Sequence, residues 1–222
     1  MNKTVLVVAA HSDDEALGCG GTIARHVAEG DVVHAVFLAD GVTSRIGASP
    51  EEHAAREAAA SASHKVLGIS TVFFLGFPDN RMDSVPLLDV VKALEVIVEK
   101  TCPEIIYTHN HNDLNVDHRI AHEATLTACR PVPGSSVKEI YAFEVLSSTE
   151  WMPSHTTFQP DCYMDISDYF SEKMKSIDCY HMEMRAAPHS RSRENVRALA
   201  GFRGMCVGVL FAEAFKVVRI VR

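Results

Sequence analysis

The sequence has no apolar run approaching the roughly 20 residues a membrane helix needs, so membrane insertion is not expected. It also has no secretory leader pattern: Met1–Lys3 leads straight into the strand-like TVLVVAA (Thr4–Ala10), with no extended apolar region and no cleavage signature. Basic charge is scarce. Lys and Arg number 21 against 29 Asp and Glu, a formal net charge of −8, which argues against nucleic acid or an anionic membrane surface as the main partner, since both select a basic face. A small anionic ligand stays compatible, because a few local arginines suffice to hold one. The six cysteines (19, 102, 129, 162, 179, 206) include no C-x-x-C pair, so the spacing of a cysteine-ligated structural zinc is missing. They are expected to be reduced thiols, mostly small core residues, in a cytoplasmic protein.

What is present is an ordinary globular composition: 222 residues, 47% hydrophobic, enough for one sizeable core. Apolar runs alternate with helical patterns. Thr4–Ala10, Asp31–Leu38, Thr71–Phe77 and Glu104–Thr108 are expected as strands, and their unbroken apolarity suggests burial on both faces of a parallel sheet. Between them, Ala16–Glu29, Pro50–Leu67 and Val85–Lys100 repeat apolar residues at helical spacing. In the last of these Leu87, Leu88, Val91, Leu94, Val96 and Ile97 form the expected core stripe. After the turn-rich PVPGSS (Pro131–Ser136), Lys138–Val145 and Cys162–Ile166 are further strand candidates and Asp168–Arg185 a helix candidate. Pro188–Gly204 starts as a polar loop and continues helically, and Met205–Val221 suits a core strand or a subunit contact. Strand–helix alternation of this kind specifies a doubly wound α/β sheet. No linker divides the chain, so residues 1–222 are expected to form a single domain.

One short stretch resists a purely structural explanation. AAHSDDEALGCGG places His11, Asp13, Asp14 and Glu15 just past the first apolar run. Ligands bind at that edge of an open α/β sheet, and one carboxylate there is a good helix cap. A cap accounts for one acid and leaves the others repelling each other, a cost that a bound divalent cation offsets. A histidine and an aspartate three residues apart can share one ion, while a neighbouring aspartate takes a proton from water, the division of labour in metal-assisted hydrolysis. The glycines Gly18–Gly21 come too late, behind too many acids, for a phosphate-binding fingerprint; close packing of the helix on the sheet explains them better.

A second stretch, THNHNDLNVDHRIAHE (Thr108–Glu123), also follows a strand and supplies His109, His111, His118 and His122. A catalytic zinc takes three protein ligands and keeps a position open, so one of these histidines can complete a site with His11 and an aspartate. His118 and His122 share a helix face, but Arg119 occupies the place of the glutamate in H-E-x-x-H. Asp117 can cap the helix or orient a ligand from behind. Arg45 follows the second strand on the same edge and is a candidate for substrate contact. His189, Arg191 and Arg193 lie in a polar loop that suits either surface charge or an anionic part of a substrate.

Taken together, AHSDDE and DLNVDHR resemble the LmbE-like, or PIG-L, zinc-dependent de-N-acetylases. FLADGVTSR (Phe37–Arg45), the Arg56-Glu57 pair, GFPDNR (Gly76–Arg81) and the tail PHSRSRE…ALAGFRG…GVLFAEAF (Pro188–Phe215) extend the resemblance along nearly the whole chain. It implies a Rossmann-like fold, mostly parallel with helices on both faces, and hydrolysis of an N-acyl group, acetyl above all, from a small-molecule amino sugar or sugar conjugate. It further implies one Zn2+, or another divalent transition metal, on His11, Asp14 and His118, with Asp13 as general base. Arg56 and Asp79 match positions associated in the family with sugar hydroxyls or nearby structure. A homo-oligomer is the expected assembly, since similar proteins often form one. Two departures stand out. Ser12 replaces the usual proline, and Asn115 replaces a histidine proposed to stabilise the oxyanion; either Asn115 is a neutral donor or His109 or His111 takes the charged role. Two alternatives remain: the same site cleaving a formyl or another small amide, and a non-enzymatic nucleotide- or ligand-binding domain.

Overall fold

Apolar runs without alternation become strands where both faces of the sheet are covered. The computed structural model, which describes residues 2–39, 50–153 and 157–222, contains β1 (Thr4–Ala9), α1 (Asp14–Ala28), β2 (Val32–Ala39), α2 (Pro50–Leu67), β3 (Thr71–Phe77), α3 (Leu87–Thr101), β4 (Ile105–His109), α4 (Val116–Ala128), β5 (Glu139–Phe143), β6 (Cys162–Asp165), α5 (Phe170–Cys179), α6 (Arg193–Met205) and β7 (Ala212–Ile220). The strands make one 7-stranded sheet in the order β3-β2-β1-β4-β5-β7-β6. From β3 to β5 every neighbour is parallel, and β7 runs antiparallel between β5 and β6. This is the α/β, Rossmann-like sheet expected, and the apolar tail of the chain is one of its strands. No helix among the described residues is long and apolar enough to cross a membrane.

Alternate residues of β1 feed two cores. Leu6 and Val8 pack with Val36, Leu38, Ile106 and the inner faces of α3 and α4. Val5, Val7 and Ala9 pack on the other side with Phe37, Tyr107, Phe143, Phe215 and Ile23 of α1. Several expectations shift at this level. Thr71–Phe77 is an edge strand, and Phe74 is 56% exposed. On α3 the buried face is Val90, Val91, Leu94 and Ile97, while Leu87, Leu88 and Val96, also expected in the core stripe, face solvent. Helix α5 ends at Cys179 and does not reach Arg185; the next residue, Tyr180, is buried and donates its hydroxyl to Glu15. Only Cys19 and Cys129 are buried, and all six cysteines are free thiols, so the core role expected of most of them is not observed.

Helix α1 is broken at Cys19, whose backbone (φ −144°, ψ 22°) is not helical. A buried ion pair satisfies the exposed backbone on both sides of the break. Lys173 donates to the carbonyls of Ala16 (3.1 Å) and Leu17 (2.7 Å), and Glu213 accepts the N–H groups of Gly21 (3.0 Å) and Thr22 (2.7 Å). The glycines do what the sequence suggests: a Cβ on Gly18 would overlap the Phe143 ring, and one on Gly21 would lie 2.8 Å from Ile166 Cδ1. Close contact, not phosphate, explains them.

Candidate functional site

The strand order reverses between β1 and β4, and the crevice beyond their carboxyl ends is where open α/β sheets bind ligands. The two stretches singled out in the sequence meet there. Asp14 Oδ2 lies 3.3 Å from His11 Nδ1 and 3.3 Å from His118 Nε2, and one donor atom from each of these residues falls within 4.8 Å of the others. All three side chains are buried. Asp14 Oδ1 and His118 Nε2 have no hydrogen-bond partner. Buried polar atoms are normally paired, so an unpaired carboxylate oxygen and an unpaired imidazole nitrogen on neighbouring residues suit metal ligation, and the donor set fits zinc or a similar ion.

The three consecutive acids have three different surroundings. Asp14 faces the histidines. Asp13 turns away with a left-handed backbone (φ 133°), and its Oδ2 accepts a 2.8 Å bond from Arg191 Nη1. Glu15 is fully buried and holds the turn from beneath. Its Oε2 accepts the Asp13 N–H at 3.0 Å, and its Oε1 accepts the Tyr180 hydroxyl at 2.7 Å. A non-glycine residue at such a φ is strained and persists only when its surroundings fix it; Glu15 supplies that fixation.

Three histidines face Asp14: His109 Nε2 lies 3.4 Å from its Oδ2 with Nδ1 unpartnered, whereas His11 and His118 each have a carboxylate at the other nitrogen. His11 Nε2 lies 3.0 Å from Asp117 Oδ2 and 3.1 Å from Asp79 Oδ1. Asp117 itself accepts the main-chain N–H groups of Asn80 (2.7 Å) and Met82 (3.0 Å). His118 Nδ1 lies 3.1 Å from Asp113 Oδ1. Such carboxylate–histidine pairs fix the tautomer and leave the opposite nitrogen for a metal. Electrostatics follow the geometry. Burial would pull His118 down, but Asp14 and Asp113 outweigh it and hold it at about 9. His11 is likewise held well above its usual value against its burial, by Asp117, Asp14 and Asp79. Burial pushes Asp13 up to about 6, Arg191 opposing and the Asp14 charge adding.

The remaining expected residues fall as follows. Asn115 is the N-cap of α4: its Oδ1 accepts the Asp117 N–H at 2.8 Å, and its Nδ2 donates to Asn80 Oδ1 at 3.1 Å. His109 is fully buried, stacked 4.0 Å from His118, with Nε2 accepting the Ala10 N–H. Burial, then the neighbouring His118, hold it well below its usual value. His111 is exposed at the rim, its ring centroid 5.7 Å from that of His122. Asp79, expected at sugar hydroxyls or nearby structure, lies beside His11 Nε2 at 3.1 Å. Arg56 pairs with Glu183 at 2.9 Å and donates to the Ser12 carbonyl at 3.3 Å, bracing the loop between His11 and Asp13. Arg45 lies outside the described residues. Sequence reasoning missed the support given by Glu15, Asp113, Glu183 and Tyr180. Asp113 sits inside the motif DLNVDHR and was its one legible signal.

Comparisons with known proteins agree with this geometry. Residues 6–129 match the family described as PIG-L: GlcNAc-PI de-N-acetylase. An uncharacterized deacetylase of Escherichia coli K12, YaiS, is 30% identical over 181 residues, which cover 79% of this chain and 89% of that protein. A 4-oxalmesaconate hydratase of Pseudomonas putida KT2440 is 31% identical over 196 residues, 80% of this chain and 72% of that protein. Among solved structures, the N,N'-diacetylchitobiose deacetylase of Pyrococcus horikoshii superposes with a TM-score of 0.80 at 23% identity, covering 98% of this chain and 84% of that one. With more than half its length matched to the family and a 30% identical relative aligned over most of both chains, the protein belongs to the PIG-L de-N-acetylase family.

Proposed function

We propose that this protein is a metal-dependent hydrolase that removes the acetyl group from an N-acetylated amino sugar or sugar conjugate. The observation that carries the proposal is the convergence of His11, Asp14 and His118, with two orphaned donor atoms, beside an aspartate pinned in a strained turn. His11, Asp14 and His118 are the residues that would hold zinc. The ion supplies Lewis acidity, which makes an acyl carbonyl electrophilic and a water acidic. The protein's own groups supply the rest. Arg191 occupies Asp13 Oδ2, so Oδ1 is the oxygen that takes a proton from the attacking water and returns it to the departing amine. Asp117 and Asp113 keep the imidazoles of His11 and His118 turned toward Asp14. Asn115 Nδ2 gives one N–H to Asn80 Oδ1, and its second N–H is the neutral donor we assign to the acyl oxygen.

The reading is tested by incubating the zinc-loaded protein with N-acetylglucosamine, diacetylchitobiose and inositol-linked N-acetylglucosamine, and following free amine and acetate. Stoichiometric release that a chelator abolishes supports it. A water activated by a base can also add across a double bond, and a hydratase relative is 31% identical. Consumption of 4-oxalmesaconate with no acetate from any N-acetyl sugar would replace the deacetylase reading with that one.

A further inference from the structure

The proposed base and the third proposed metal ligand come from opposite sides of the crevice, and one turn touches the supports of both. We propose that the turn Leu146–Glu150, which follows β5, sets the position of Asp13 and His118 relative to each other through two adjacent serines that face opposite ways. This rests on the ligand and base assignments above.

Ser147 serves the base. Arg191 Nε donates to Ser147 Oγ at 2.6 Å and to the Leu146 carbonyl at 3.4 Å, while its Nη1 holds Asp13 at 2.8 Å. Ser148 serves the ligand. Its hydroxyl donates to Asp113 Oδ1 and lies 3.2 Å from His118 Nδ1, and Thr149 Oγ1 donates to the other Asp113 oxygen at 2.7 Å. The turn is rigid by construction. The Glu150 carboxylate accepts the N–H groups of Ser147 (2.6 Å) and Ser148 (3.2 Å), and Thr149 Oγ1 also accepts the Val145 N–H at 2.8 Å. Ser147 sits at φ 69°, in the left-handed region that a non-glycine residue adopts only when its surroundings demand it. That twist sends consecutive hydroxyls to opposite halves of the site. Both serines are positioning residues; neither has a place in the proton transfer.

The two halves make separable predictions. With Ser148→Ala, zinc affinity measured by competition with a chromophoric chelator falls about 10- to 100-fold, the usual loss when a ligand's outer partner is removed, and saturating zinc restores most of the turnover. Asp113→Asn reproduces the affinity loss. With Ser147→Ala zinc affinity is unchanged, while kcat falls about tenfold at constant KM, as expected for an interaction that matters in the transition state. Ser147→Gly, which suits the backbone but lacks the hydroxyl, behaves like Ser147→Ala. Unchanged zinc affinity in Ser148→Ala, or equal losses of zinc affinity in the Ser147 and Ser148 variants, overturns the proposal and leaves the turn a simple fold element. The chelator competition needs no substrate, so this arm still decides the proposal if no N-acetyl sugar is turned over and the deacetylase reading fails.

Discussion

Replacing Glu15 with alanine should cost far more than removing one surface acid, although Glu15 donates nothing to the metal set. Its carboxylate accepts the Asp13 N–H at 3.0 Å and the Tyr180 hydroxyl at 2.7 Å, with the Ser63 hydroxyl at 3.4 Å. Truncation strands at least two buried donors, each worth about 1–3 kcal/mol, and leaves the left-handed Asp13 without its brace. A total near 4 kcal/mol follows, taking about 2 kcal/mol for each stranded donor. At an m-value of about 2–3 kcal/mol per molar urea, the unfolding midpoint falls by about 1.5 M with the slope unchanged. Tyr180→Phe removes a single donor and should cost about 1 kcal/mol. Added to Glu15→Ala, the same change deletes an already orphaned hydroxyl and should cost nothing or stabilise, so the pair must be non-additive. A wild-type midpoint for Glu15→Ala, or strict additivity in the cycle, would refute the claim that Glu15 braces the turn.

Gly18→Ala should lower the calorimetric unfolding temperature, because its Cβ would overlap the buried Phe143 ring; overpacking of this kind costs about 1–3 kcal/mol. Above pH 6.5 the metal-free protein should lose stability as pH rises. His118, held at about 9 in the fold against an ordinary 6.5, contributes fully below pH 6.5 and loses that contribution as pH passes 9. Asp13, raised to about 6 from an ordinary 3.8, acts in the same direction between those two values. Thermal unfolding of metal-stripped protein across pH 5–10 checks both, and a His118→Gln variant should flatten the upper limb.

The parts of the site legible in the sequence are those whose cause is local. Asp13 and Asp14 stand side by side at a strand end, where a cap explains only one of them, and His118 lies in a second strand-end stretch. The switch point between β1 and β4 brings those stretches together, so strand order alone accounts for their meeting. The parts that were hidden depend on distance along the chain. Arg191 reaches Asp13 across 178 positions, and Tyr180 reaches Glu15 across 165; no periodicity or spacing encodes such pairs. The Lys173–Glu213 pair is of the same kind: it exists because α1 breaks at Cys19, a break that no residue pattern announces. For Asp79 and Arg56 the sequence left a choice between sugar contact and nearby structure, since whether a polar side chain faces ligand or backs a neighbour is decided by packing. On α3 the period was right, but Leu87, Leu88 and Val96 are apolar without being covered.

The central claim is that one aspartate of the pair works on protons while the other binds metal. Asp13→Asn, purified without chelator and assayed for bound zinc alongside turnover, separates the two most directly. The protein should keep its full metal content and lose about 10²- to 10⁴-fold in kcat, the usual contribution of a positioned base. Undiminished turnover in that variant, or loss of its zinc, would contradict the claim.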